Sequence, residues 1–193
     1  MTTDLRDKRR RQTARDIQLA ALRLSIRQGY ASVTTEAIAT EAGTSPRTFF
    51  NYYNNKQAAI VGEPPVLKAE GNEWIITSGE PLIEDLVKIM SGLLFNEIPD
   101  RDMIRMIRKL SEAAPELTVV FRDSMDQIAR VLAGLLEQRL GPDRRITAQL
   151  LGDLSLRAFC EAVMEWGQNE AITTDQIPQM VRHHLQQVRD MLG

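Results

Sequence analysis

Two short helical patterns in this chain are separated by only Ala42-Gly43-Thr44-Ser45, and no other feature restricts the fold as much. A link this short keeps two helices as immediate neighbours at a steep angle, so their apolar faces must close against a third element. Thr34-Thr35 can cap the first of the pair, whose apolar positions are Ala37, Ile38 and Ala42. Gly43 allows the tight turn, then Thr44 or Ser45 can cap the next helix, with Pro46 in its first turn. The third element is an upstream helix over residues 13–28. There Ile17, Ala20, Ala21 and Leu24 recur at helical spacing and Gly29 follows the last turn. Ahead of it, Lys8-Arg9-Arg10-Arg11 is expected to form a flexible or fraying basic arm.

The helix that starts at Pro46 divides into two faces. Phe49 and Tyr53, four residues apart, should pack inward. Pro46, Arg47, Phe50 and Asn51 form the opposite face, with Thr48 and Tyr52 at its borders. Such an outward face suits a DNA major groove, where arginine addresses guanine, asparagine adenine, and an apolar ring the thymine methyl. Ser45, Thr48, Tyr52 and Lys56 can donate to phosphates, and Thr35 can do the same from the preceding helix. Two positions also admit an internal role, Phe50 as packing support and Tyr52 through an internal hydrogen bond. The Lys8-to-Arg11 arm admits three: minor-groove entry, nonspecific phosphate attraction, or plain solvation.

The stretch GYASVTTEAIATEAGTSPRTFFNYYNNKQAAI resembles the DNA-binding domain of the TetR family of bacterial transcriptional regulators. It carries that family's Gly-Tyr, Thr-Thr, Ile-Ala, Ala-Gly and Thr-aromatic-aromatic positions, then a turn and the lysine that opens a fourth helix. The resemblance covers residues 13–60. It implies an all-helical homodimer, with three N-terminal helices for DNA and a larger C-terminal regulatory core. It implies further that Thr35, Ser45, Arg47, Thr48, Phe50, Asn51, Tyr52 and Lys56 occupy positions used against DNA. Pro46 and Arg47 fall in the variable part that tunes operator choice.

Charge supports this division. The chain of 193 residues has a formal net charge of -2, which for an undivided domain would argue against a polyanionic partner. Residues 1–56, however, hold ten Lys/Arg against five Asp/Glu, and residues 57–193 hold fourteen against twenty-one. A basic reader, 1–56, is thus joined to an acidic helical body, 57–193, expected to serve regulation and dimerisation. The fourth helix, starting near Asn55, meets Pro64-Pro65 and should stop near Gly62, kink, or resume at 66–69.

Beyond that junction, helical patterns span residues 81–96, 100–114, 115–140, 144–169 and 175–192, and strand-like alternation is scarce. The last two are the candidates for self-association. Leu150, Leu151, Leu154, Ala158 and Ala162 line one, and Ile177, Met180, Val181, Leu185, Val188 and Leu192 the other. The family pattern uses the equivalent pair in a four-helix interface, which would present two recognition helices to a palindromic double-stranded DNA operator. Phe95, Met103, Met106, Ile107, Phe121, Met125, Phe159 and Met164 are candidate linings for a small apolar or amphipathic effector, and each also suits a plain core.

Catalysis finds no converging set of groups. There is no nucleophile elbow, no glycine-rich phosphate loop and no histidine pair at ligand spacing. His183 and His184 are adjacent on a helix and diverge by about 100°. Cys160 is the single cysteine and is expected to pack in an apolar face. The signal-free, charged N-terminus and the lack of an 18-residue apolar run point to a cytoplasmic protein. The sequence thus describes a ligand-responsive, homodimeric repressor that needs neither cofactor nor metal. The alternative is a small-molecule-binding or interaction protein on the same scaffold without specific DNA binding.

Overall fold

Serine, threonine, asparagine and glycine set the helix ends in a computed structural model that describes residues 2–96 and 100–193. The first helix, α1, runs Thr2–Gln28 and stops at Gly29, whose φ of 85° suits glycine. A 3-10 turn at Tyr30–Ser32 leads to α2, Thr35–Glu41, where the Thr34 side chain accepts from the Ala37 N–H. After Gly43 (φ 65°) comes α3, Pro46–Phe50, and then α4, Lys56–Val61, which the Asn55 side chain caps by accepting from Ala58 N–H. Phe49, Ile17, Leu22, Ile38 and Ile60 are fully buried where these helices meet.

One segment differs from the sequence-based expectation. The basic arm is helical, continuous with α1. Arg, Lys, Gln and Leu are good helix formers, and no glycine or proline interrupts residues 2–28. An apolar stripe fixes where a helix packs, but its absence does not end one. The fourth helix takes the first of its three expected courses: it stops at Val61, with Gly62 at φ 82°, and does not resume over 66–69.

By packing, the chain forms two compact units. One comprises Met1–Pro64 with Arg105–Arg122, and the other Pro65–Ile104 with Asp123–Gly193. The remaining helices are α5 (Trp74–Thr77), α6 (Leu82–Asn96), α7 (Arg101–Ala113), α8 (Pro115–Leu140), α9 (Arg145–Gln168) and α10 (Ile177–Leu192). All described regular structure is helical. The Phe95 side chain, a candidate lining of the effector cavity, lies outside the described residues.

In the second unit α10 packs on both α6 and α9, burying Ile177, Val181 and Leu185. Helices α8 and α9 pass so closely that a Cβ on Gly152 would sit 2.9 Å from the Ala129 carbonyl oxygen. Met103, Met125, Phe159 and Trp166 are core residues here. Polar ties add register. Arg182 grips Glu84 through a bidentate pair between α10 and α6. Arg101 stacks on the Trp166 ring and donates to the Asn169 and Ile172 carbonyls.

The most buried charge is Asp85, 2% exposed, which receives Arg139 from the end of α8. The same guanidinium donates to the carbonyls of Ile75 and Glu80, so one side chain fastens α5 and the start of α6 to α8. A buried charge left without its partner costs about 3–5 kcal/mol. Asp85→Ala should therefore lower the urea midpoint by an amount equivalent to about 3 kcal/mol. A loss below about 1 kcal/mol would contradict the pairing.

Candidate nucleic-acid interface

The faces of α3 separate as the spacing requires. Phe49 is fully buried and Tyr53, just past the helix, is 5% exposed, its hydroxyl donating to the Ala14 carbonyl of α1 at 3.2 Å. Pro46, Arg47, Phe50 and Asn51 are all exposed, and Thr48 and Tyr52 are half-buried at the borders. Phe50 meets Phe49 edge-to-face at 5.3 Å between ring centres, yet half of its surface remains open to solvent. An aromatic ring supported from one side and open on the other can contact a partner without folding back.

The start of α3 is tightly determined. Ser45 Oγ accepts from the Thr48 N–H at 3.0 Å, and the Ser45 and Thr48 hydroxyls lie 2.8 Å apart. One hydroxyl donates to the other, which leaves the second proton of this pair for an external acceptor. On α2, Thr35 is at the first helical position and its hydroxyl donates to Glu36. The Glu36 carboxyl is held below its ordinary range by its own backbone N–H, with help from the Thr34 and Thr35 hydroxyls.

Lys56 has a partner set that the sequence did not disclose. Its ammonium donates to the carbonyls of Tyr30 (2.9 Å), Ala31 (3.4 Å) and Val33 (3.0 Å), and sits 4.4 Å from the centre of the Tyr30 ring. An ammonium has three protons, so these carbonyls occupy its whole donor capacity. Lys56 thereby clips the start of α4 to the turn after α1. The Tyr30 hydroxyl is pushed up by burial and by the charge of Glu116, against a smaller opposite effect from its hydrogen bond with Gln57. At the other end of α4, Gln18 Nε2 donates to the carbonyls of Ile60 and Val61, and a Cβ on Gly62 would collide with this amide at 2.2 Å. Gln18, Tyr30 and Gln57 are positioning residues that patterning missed. Only Gly62, a glycine after an apolar run, gave a local hint.

In the second unit, a groove of about 300 Å³ runs along α9 and α10. His183 and His184 both line it, although adjacent helical residues diverge, because it is open enough to receive rings 6.3 Å apart. No cluster of three or more metal-ligating side chains occurs among the described residues. Cys160 is partly buried, and desolvation pushes its thiol up to about 11, with Arg157 pulling down and Glu161 adding to the rise.

An exposed helix that follows a capped, glycine-turned neighbour defines a helix-turn-helix unit. Residues 17–59 match the sequence model of "Bacterial regulatory proteins, tetR family". No individual curated protein matches the chain. Among solved structures, the chain resembles Thermus thermophilus FadR, described as a TetR-family transcriptional repressor in complex with lauroyl-CoA. Identity is 23%, over 90% of this chain and 91% of that one, with a TM-score of 0.51. A putative TetR-family transcriptional regulator from Mesorhizobium loti MAFF303099 is 18% identical, over 91% of this chain and 94% of that one, with a TM-score of 0.48. Residues 17–59 thus carry the helix-turn-helix pattern of the TetR family, and the chain shares its all-helical fold with the Thermus protein.

Two outcomes follow from this geometry. Lys56→Ala should lower stability by about 1–2 kcal/mol, read from a urea melt, since hydrogen bonds from a charged donor are lost. An unchanged midpoint would show that the clip contributes nothing. Native Cys160 should resist alkylation at pH 8, where on the order of 0.1% is thiolate, and labelling should accelerate steadily through pH 9 and on unfolding. Rapid stoichiometric labelling of the folded protein at pH 8 would contradict the burial effect.

Proposed function

We propose that the protein is a sequence-specific, DNA-binding transcriptional repressor that works as a homodimer in the cytoplasm and is released by a small molecule. The observation that carries this reading is the outward face of α3. Arg47, Phe50 and Asn51 are exposed together on a helix whose other face is fully committed to the core. Arg47 is assigned to guanine, Asn51 to adenine and Phe50 to a thymine methyl, with Pro46 setting the approach. Thr35, Ser45, Thr48 and Tyr52 are assigned to phosphates. Lys56 enters as the residue that holds α4 against the reader, with its protons turned to carbonyls rather than to DNA.

Dimerisation is assigned to α9 and α10. Ile146 and Leu150 on α9 are exposed by 62% and 64%, and Met191 and Leu192 on α10 by 87% and 83%. Large apolar side chains so exposed on adjacent helices suit a second copy. Leu151, Leu154, Met180 and Val188 are half-buried beside them, whereas Ala158, Ala162, Ile177, Val181 and Leu185 are already used in the monomer core. Two-fold symmetry places two α3 helices on half-sites about 34–36 Å apart or a multiple of that. The effector is proposed to be apolar or amphipathic, in line with the lauroyl-CoA held by the Thermus relative. It acts only if it binds the DNA-incompetent arrangement more tightly. The reading includes no catalytic step.

The test selects bound duplexes from random DNA, then compares the parent with Arg47→Ala on the enriched sequence. The parent should enrich a palindrome. The variant should lose about 10- to 100-fold in affinity and relax its preference at one base position per half-site. Failure to enrich any sequence would overturn specific recognition. An unchanged preference would remove Arg47 from the base-reading set.

A further inference from the structure

Glycines hold α9 close to its neighbours at two points, with bulky apolar side chains between them. A Cβ on Gly152 would sit 2.9 Å from the Ala129 carbonyl oxygen of α8, and one on Gly167 would meet the Ile104 side chain of α7 at 2.5 Å. Leu156, Phe159, Val163 and Trp166 follow one another at spacings of three and four, so they share one side of the helix. They span about 15 Å of its axis. The small residues Ser155, Ala158 and Ala162 form the adjoining face, where the His184 ring of α10 reaches the Ala158 carbonyl. Leu156, Phe159 and Val163 keep 6–9% of their surface open, against 0–2% for Ile128, Leu132 and Leu136 of α8. The strip is enclosed, yet packed less tightly than that part of the core.

Trp166 ends the strip with an unsatisfied group. Among the described residues, Trp166 Nε1 and Ser25 Oγ are the buried side-chain polar atoms without a hydrogen-bond partner. A hydroxyl rotates, and on a helix it can turn to the carbonyl four residues back, so the Ser25 case resolves locally. An indole N–H is a donor only, fixed in the plane of a large ring. Here the ring is pinned. The Arg101 guanidinium lies 4.6 Å from its centre, and Arg101 is itself tied to the Asn169 and Ile172 carbonyls. A buried donor left unpaired is costly, and buried tryptophans ordinarily pair theirs. Phenylalanine would fill an apolar position without that cost.

We infer that Trp166 is the polar anchor of the effector site, its Nε1–H donating to an oxygen of a chain-like molecule whose apolar body lies along Val163, Phe159 and Leu156. The inference rests on the ligand-responsive reading and names the chemistry of its ligand: a carbonyl or carboxylate oxygen at one end of a flexible hydrocarbon. The hydrocarbon takes the apolar strip, and the single oxygen meets the single unpaired donor. The positive charge of Arg101 over the same ring favours an electron-rich oxygen.

The chain has two tryptophans, so Trp74→Phe leaves Trp166 as its one indole and makes the emission a report on this site. The full-length variant is titrated, without DNA, with octanoate, methyl heptyl ketone and octyl chloride. These have similar chains, and only the first two carry an acceptor oxygen. Octanoate and the ketone should saturate and move the emission to longer wavelength, as hydrogen bonding does to a buried indole. Octyl chloride should bind more weakly and leave the wavelength unchanged. In Trp166→Phe, checked by circular dichroism for retained helix, calorimetry should show the ketone losing about five- to tenfold in affinity beyond any loss for octyl chloride, which reads packing alone. If that variant does not fold, the emission titration decides by itself. Equal binding of all three probes without a shift would overturn the inference, and so would failure of both oxygen-bearing probes to saturate. Release of a selected operator by octanoate without a change at Trp166 would leave the ligand-responsive reading standing and remove Trp166 from it. A shift at Trp166 in a protein that selects no operator would support the inference while removing DNA recognition.

Discussion

The reader depends on holding a very short helix in place. α3 has five residues, and a helix of that length is far below what persists alone in water. Its conformation comes from three local constraints: Ser45 at the cap, Pro46 at the first position, and Phe49 fully buried on the inner face. Tyr53 adds a polar bond to Ala14 just beyond the end. With the inner face fixed this way, the outer face is left with one orientation, and its three chemically distinct side chains stand out together. Packing thus determines which residues can meet a partner.

The frame around α3 is closed by α4. Lys56 fastens the start of α4 to the turn after α1, and Gln18 fastens its end through the last free carbonyls. Six residues of helix are therefore tied at one end to α1 and at the other to the turn that follows it. Any movement passing along α4 must strain one of these ties or carry α1 with it. Tyr30, with Lys56 over its ring, Gln57 on its hydroxyl and the charge of Glu116 nearby, is the point where several of them meet.

Much of this was legible in the sequence, because it is written locally. Thr34, Ser45 and Asn55 are caps at the positions where caps occur, and Phe49 and Tyr53 fall on the buried side by spacing alone. What escaped was long-range or negative information. The acceptors of Lys56 lie 23 to 26 residues upstream in a turn with no distinguishing motif. The helical course of residues 2–12 escaped because this stretch has no apolar stripe to mark a helix. In the second unit, His183 and His184 share a groove because its breadth, not helical phase alone, decides what lines it. Charge was informative only after division: the balance of the whole chain concealed a basic segment, and the basic segment itself resolves onto a few turns of α1.

The account stands or falls on what the outer face of α3 touches. A photo-crosslinking amino acid placed at position 50, in the folded full-length chain mixed with its selected duplex, measures this directly. Crosslinks to bases within the half-site, with thymines prominent, are the expected result. Crosslinks confined to protein, or to DNA ends and flanks outside the half-site, would show that this face does not read the groove.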